Sequence, residues 1–392
     1  MRKMSVVCSV CLLWVAGVAE AEAHALLPEY KAGVESVLKT AGENRAELAK
    51  ALEEVPAAQS KAMQFLIAHM PESDAKQVKA ELLLNNVAWA YKARESFPWA
   101  REVPEDVFLN DVLPYASLNE PREDWREDFF NRFSKHVKGA KTQQEALALV
   151  NAHILKEVKV EYNTKRKRAD QSPYESMQQG MASCTGLSIL LTDAFRSVGI
   201  PSRVVGTPAW TTKVGNHNWV EVWTSADKQW HFTEYYPDSK GLDHGWLLAD
   251  AAKGNAKSLY HSIYASSWKE GSGYFPLVWN MKNKEVAAVN VTARYVALGG
   301  GGDGAEDACE LRIHRMVDGK RVQVAVVVRQ GDVILGEGMS PKPTDDMNRY
   351  FVAKVRQGQI YQVVWKDPKS GEVKRQSVTT PKGKAWFVVG VE

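Results

Sequence analysis

The chain has 392 residues, 45% of them hydrophobic and 25% charged, which describes a folded protein of two or three domains and excludes a disordered tail. Fifty Lys and Arg against 47 Asp and Glu leave a formal charge of +3, too small a bias to mark a nucleic-acid binder. Four cysteines are too few for a disulfide scaffold.

The first elements are a targeting pattern. Arg2 and Lys3 precede a mostly apolar stretch from Val6 to Val18, and small residues alternate from Ala19 to Ala25, offering A-x-A-type cleavage points. The apolar run falls short of the ~20 residues that span a bilayer. Residues 1–25 therefore read as a removed signal peptide, and the mature chain as exported, periplasmic or extracellular, without a transmembrane helix. Cys8 and Cys11 leave with that segment, so their C-x-x-C spacing serves no redox or metal role. Cys184 and Cys309 remain.

Residues 26–160 read as a helical N-terminal region. Asp74 is placed to cap a helix carrying Val78, Leu82, Leu83, Val87 and Tyr91. A short helix stopped by proline follows between Pro104 and Tyr115. Trp125 to Val137 carries Phe129, Phe130 and Phe133 on one side, and another helix runs from Thr142 through Ala146, Leu147, Val150 and Ile154. The basic run Lys165-Arg166-Lys167-Arg168 reads as a solvated loop. Residues 161–280 show one helix followed by strands, with Leu247 to Glu270 helical again. After Trp279 the period becomes two, from Val286–Val296 through Glu310–Arg315, Arg321–Val328, Val333–Glu337, Arg349–Val355 and Ile360–Trp365 to Lys384–Val391. Gly-containing turns at Asp318-Gly319, Gln330-Gly331, Gln357-Gly358 and Ser370-Gly371 separate the strands and predict a β-sandwich over 281–392. Gly299 to Gly304 is a loop without the acidic spacing of a calcium site, and no metal is assigned there.

Chemistry concentrates in the middle of the chain. Leu187, Leu190, Leu191, Ala194, Phe195 and Val198 fall at helical spacing, and Gly199-Ile200-Pro201 ends the helix. Cys184 stands at its N-terminus, where unsatisfied N–H groups and the positive end of the helix dipole favour a thiolate. Cys309, in an alternating strand, reads instead as a small buried apolar residue. His217 opens the strand Asn218-Trp219-Val220-Glu221-Val222, and Trp230-His231-Phe232-Thr233-Glu234 forms a second one. Antiparallel pairing of the two sets His217 beside Glu234. A nucleophilic thiol needs a base, and the base needs a group that fixes its tautomer. Cys184, His217 and Glu234 supply the three in that order.

Together with Gly199-Ile200-Pro201-Ser202-Arg203-Val204-Val205-Gly206, these elements resemble the transglutaminase-like superfamily over roughly Tyr174 to Trp246. The resemblance implies an α+β fold: a papain-like transglutaminase core, a helix packed on an antiparallel sheet, with the helical N-terminal region and the β-sandwich as additions. It implies Cys184 as nucleophile, His217 as general base and Glu234 as orienting residue, although the family usually carries aspartate there and flanks the cysteine differently from Ser183 and Thr185. By the same resemblance Gln178, six residues ahead of Cys184, is the oxyanion candidate, with a surface position as the alternative. Trp210, Trp219 and His244 are candidate substrate-binding residues, core packing being the alternative for the tryptophans. Asp238 and Asp243 are the fallback orienting residues. No cofactor is implied, and two separated cysteines with few suitable histidines do not make a four-ligand zinc set. The expected partners are a peptide or protein substrate and, for the sandwich, a cell-wall or glycan polymer, with no nucleic acid. The competing reading is a non-catalytic peptide- or glycan-binding module on the same fold.

Overall fold

The computed structural model describes residues 25–269, 271–299 and 307–391. The signal-peptide expectation, and most of the Gly299–Gly304 loop, lie outside the described residues.

Four helices, α1 (Pro28–Thr40), α2 (Arg45–Glu54), α3 (Ser60–His69) and α4 (Ala80–Ser96), pack around Leu48, Met63, Leu66, Leu83 and Val87, all fully buried. Asp74 does not cap α4. It sits in a single turn, Glu72–Ala75, where its buried carboxylate accepts hydrogen bonds from the Tyr115 hydroxyl at 2.8 Å and Arg122 Nε at 2.9 Å. A buried carboxylate needs a cation more than a helix end needs a cap, and Arg122 supplies it.

Helices α5 (Arg126–Val137) and α6 (Gln143–Val158) follow, the second capped by Thr142 Oγ1 accepting from the Glu145 N–H. Helix α7 (Pro173–Gln179) starts in a capping box between Ser172 and Glu175. The central helix is α8 (Cys184–Ser197), buried along almost its whole length. Phe129, Phe133, Val150 and Ile154 share one core with Leu187, Leu191 and Phe195 of α8, so packing is continuous across residue 160. The N-terminal helices thus form one wall of the body that carries the site.

The other wall is a six-stranded sheet containing β1 (Ser202–Thr207), β2 (His217–Thr224), β3 (Gln229–Thr233), β4 (Tyr264–Ser266), β5 (Gly273–Tyr274) and β6 (Ala287–Asn290), in the order β3-β2-β1-β4-β6-β5 and antiparallel throughout. Both β1 and β2 are buried at every position, as expected of central strands covered on both faces. Two expectations are corrected here. Between 247 and 270 only Leu248–Ala251 is helical, because Gly254 and Asn255 break the period and Tyr264–Ser266 pairs with β1. The strand expected over Val286–Val296 stops at Asn290, whose side chain accepts from the Thr292 N–H and starts the helix Thr292–Leu298.

The C-terminal domain is a two-sheet β-sandwich. One sheet centres on β7 (Ala308–Val317), extended by the short β8 (Lys320–Arg321); the other contains β9 (Ala325–Gln330) and β10 (Val333–Met339). Strand β11 (Phe351–Arg356) joins β7, while β12 (Ile360–Lys366) joins β9 and β13 (Val373–Thr379) joins β12. Strand β14 (Trp386–Val391) runs parallel to β7. The predicted turns hold: Gly319, Gly331, Gly358 and Gly371 all have positive φ. Strand β13 escapes the periodicity because it lies on an exposed edge and, between Val373 and Val378, its side chains are charged or polar. Cys309 is buried in the sandwich core and Cys184 lies in the other body, both as free thiols. Among the described residues no helix is long and apolar enough to cross a membrane.

The exit from α8 packs closely on the helical region at Ala100. Gly199 holds φ +75°, and a Cβ there would collide with Ala100. Gly199→Ala is expected to lower stability by about 1–3 kcal/mol through strain and overpacking, read as a lower denaturant midpoint with an unchanged slope.

Candidate active site

Cys184 is placed by the start of α8. Ser183 precedes it in an extended conformation, with its side chain free of any capping bond, so the first turn's N–H groups face the sulfur's surroundings rather than a cap. His217 is placed by the first residue of β2, paired with Thr207 of β1. Gly206 lies opposite Asn218, and its missing side chain leaves the space that the Asn218 amide fills. Glu234 follows the last residue of β3, and the Asn151 side chain on α6 donates to its carbonyl at 3.1 Å.

The expected juxtaposition is present. His217 Nε2 lies 2.8 Å from Glu234 Oε1, while atoms of Cys184 and His217 lie within 4.8 Å of each other. Glutamate's extra methylene is accommodated because the residue stands just beyond the strand, where the chain has left the ladder. Asp243 instead pairs with His231 at 2.6 Å, and Asp238 closes a surface turn, so neither reaches His217. Gln178 is exposed on α7 and does not line the cavity at Cys184. Its α7 backbone follows the capping box and turns the amide to solvent, so the structure does not bring this residue to the thiol.

Trp219 and Trp210 are nearly parallel, 6.1 Å apart, and both lie against the His217 ring at 5.8 and 6.2 Å. They form an apolar backing for the imidazole. Trp219 also lines the cavity and donates to the Tyr295 hydroxyl at 2.6 Å, which in turn donates to buried Glu221 at 2.7 Å. Arg203 closes that network on Glu221 at 2.8 Å. His244 is exposed on the rim of an outer groove, whereas its neighbour Trp246 stands 4.8 Å from the His217 ring. The segment Asp243-His244-Gly245-Trp246 was visible as a rim motif, but the tryptophan and not the histidine faces the site.

One residue at the site escapes sequence reasoning entirely. Asp346, from the loop between β10 and β11 of the sandwich, places Oδ2 3.3 Å from His217 Nδ1. Its loop is fastened to the core by Asn348 Nδ2 to the Asn216 carbonyl at 3.1 Å, Lys213 Nζ to the Asn348 carbonyl at 3.1 Å and the Met347 N–H to the Tyr162 hydroxyl at 3.3 Å. With Asp345, Asp346 and Arg349 over it, the cavity at Cys184 and His217 holds about 30 Å³ of free space, room for a water or two and not for a peptide. Burial works to lower the His217 pKa, but the Asp346 charge, with the Cys184 and Glu234 side chains beside the ring, outweighs it and holds the imidazole well above its ordinary range. Burial likewise pushes Asp346 up, and the His217 charge and two Asn348 hydrogen bonds bring it below the usual carboxylate value.

A cysteine heads a buried helix opposite a histidine that opens an antiparallel strand and is held by a carboxylate, an arrangement similar to that of papain-like cysteine folds. Residues 131–251 match the model of the Transglutaminase-like superfamily. Solved structures similar to the chain include a candidate cysteine protease from Cytophaga hutchinsonii (15% identity, 39% of this chain and 50% of that one, TM-score 0.28). A TGase structure (16% identity, 46% and 47%, TM-score 0.26) and red sea bream transglutaminase (11% identity, 66% and 58%, TM-score 0.28) are also similar. The chain thus spans about half the length of these proteins. No curated protein matches the chain in sequence.

The raised His217 pKa has a stability consequence. Protonated His217 paired with Asp346 stabilises the fold fully below the unfolded imidazole value of about 6.5, and that contribution is lost as pH rises through the higher folded value. Asp346→Asn removes most of it. In buffer containing a chelator, the Tm gap between wild type and Asp346→Asn is expected to be widest near pH 6 and to narrow as the pH is raised; a gap independent of pH contradicts the pairing.

Proposed function

We propose that the protein is an exported cysteine-dependent acyl-transfer enzyme that hydrolyses peptide or protein amide bonds through a Cys184 thioester. The observation that carries this reading is the convergence of the three side chains: donor atoms of Cys184 and His217 lie within 4.8 Å, and Glu234 holds Nε2 of the ring, which frees Nδ1 to serve the sulfur. Glu234 accepts the Nε2 hydrogen and so keeps the Nδ1 lone pair available for the thiol proton.

The thiolate adds to the amide carbonyl, forming the S–C bond and an oxyanion. The backbone N–H groups at the start of α8 stabilise that charge. Collapse breaks the C–N bond as His217 passes its proton from Nδ1 to the departing amine, leaving the thioester. Water, deprotonated by His217, then adds to the thioester carbonyl, and expulsion of the sulfur releases the carboxylic acid and restores the thiol. An amine in place of water would give cross-linking. Export and the absence of a calcium-type acidic pattern in the sequence favour hydrolysis. A peptide reaches the sulfur only once the loop carrying Asp346 moves aside. That closure also supports the second reading, a non-catalytic binding module.

Cys184→Ala is expected to abolish amide cleavage of a peptide library read by mass spectrometry while leaving Tm nearly unchanged. Glu234→Gln and His217→Ala should each slow cleavage by about 10²–10⁴-fold. Alkylation by iodoacetamide near pH 6 separates the two readings: Cys184 modified much faster than Cys309 supports the enzyme, and equally slow labelling supports the binding module.

A further inference from the structure

His217 Nδ1 and Asp346 Oδ2 are both buried, stand 3.3 Å apart, and yet neither has an aligned hydrogen-bond partner. His217 itself is only 3% exposed. When His217 is neutral with its hydrogen on Nε2, Nδ1 and Oδ2 both present lone pairs, and two such atoms facing each other without aligning can converge on a third point. Ligands each about 2.0–2.1 Å from one tetrahedral ion stand about 3.3 Å apart, the separation found here. The Cys184 sulfur completes the triangle, with all three donor atoms within 4.8 Å of one another. On the far side of the ring, Glu234 holds Nε2 at 2.8 Å, the carboxylate–histidine arrangement that orients a metal-binding imidazole.

From this convergence we propose that Cys184 Sγ, His217 Nδ1 and Asp346 Oδ2 form a binding site for a thiophilic divalent ion of the zinc type, with water as the fourth ligand, and that the ion clamps the sandwich loop over the cleft. A thiolate, a neutral imidazole and a carboxylate are a donor set suited to Zn²⁺ and poor for Ca²⁺ or Mg²⁺, which take oxygen ligands. Binding forms a metal–sulfur and a metal–nitrogen bond and releases the protons held on Cys184 Sγ and His217 Nδ1 to solvent; no redox change is involved. The ion occupies the sulfur and the nitrogen that acyl transfer requires, so the loaded protein is closed and inactive, and a chelator opens it. The two cysteines alone could not indicate such a site, because its third ligand comes from another domain.

The inhibitory consequence rests on the reading of Cys184 as nucleophile, but the site itself is tested without turnover. Chelator-treated protein is titrated with Co²⁺, and thiolate-to-Co²⁺ charge-transfer absorption in the near ultraviolet is followed, with Zn²⁺ added in competition. The expected result is a band saturating at one ion per chain, absent in Cys184→Ala, retained in Cys309→Ala, and requiring at least tenfold more Co²⁺ in Asp346→Asn. Asp346→Ala is a second test of the same ligand, and circular dichroism melts establish that each variant is folded. Zn²⁺ should also slow alkylation of Cys184 at least tenfold, with EDTA restoring it. The proposal is overturned by the absence of a band in wild type, by a band that survives Cys184→Ala, or by wild-type affinity in folded Asp346→Asn and Asp346→Ala. Failure of amide cleavage with an intact Co²⁺ band would remove the enzymatic reading alone.

Discussion

Everything in the site turns on one imidazole faced by two carboxylates from opposite directions. Glu234 fixes the outer nitrogen of His217 from the sheet, and Asp346 meets the inner nitrogen from the sandwich. A ring so held is fixed at both nitrogens, and the tryptophans lie against it. The N-terminus of α8 then needs only to present a sulfur to the inner nitrogen. Each larger element can be understood as support for that arrangement: β1 and β2 set the histidine, α6 steadies the backbone of Glu234, and the helical region buries the rest of α8.

The same inner nitrogen serves two incompatible ends. A carboxylate beside it stabilises the protonated ring, while acyl transfer requires that side to receive a substrate and exchange a proton with sulfur. The cavity resolves the conflict in favour of closure, since Asp346 and its neighbours fill the approach. The balance between open and closed forms is therefore set by the loop between β10 and β11 and by whatever competes for His217, not by the core alone.

The legible part of the molecule was its local part. Helical spacing in α5, α6 and α8, the stop at Gly199, the hairpin that carries His217 to Glu234, and the glycine turns of the sandwich are all short-range features, and all can be read from neighbouring residues. Asp74 misleads because its partners, Tyr115 and Arg122, are brought to it by tertiary packing that outbids a local cap. Leu247–Glu270 misleads because scattered apolar residues imitate a helical period while Tyr264–Ser266 answers to β1. Asp346 is invisible for a stronger reason. Nothing in Lys342-Pro343-Thr344-Asp345-Asp346 distinguishes it from an ordinary polar turn, and its role exists only through docking of one domain on another.

That docking is itself made of buried charge. Asp250, on the short helix after Trp246, accepts from Lys213 of the core at 2.6 Å and from Arg312 of β7 at 2.7 Å, and all three side chains are almost wholly shielded from water. A charge triad of this kind is matched member by member and loses its compensation if any one is withdrawn. The sandwich is consequently a poor candidate for exchange by recombination: a foreign β-domain spliced after residue 299 would withdraw Arg312 from Asp250 and leave Lys213 as the one cation of the triad still beside that carboxylate.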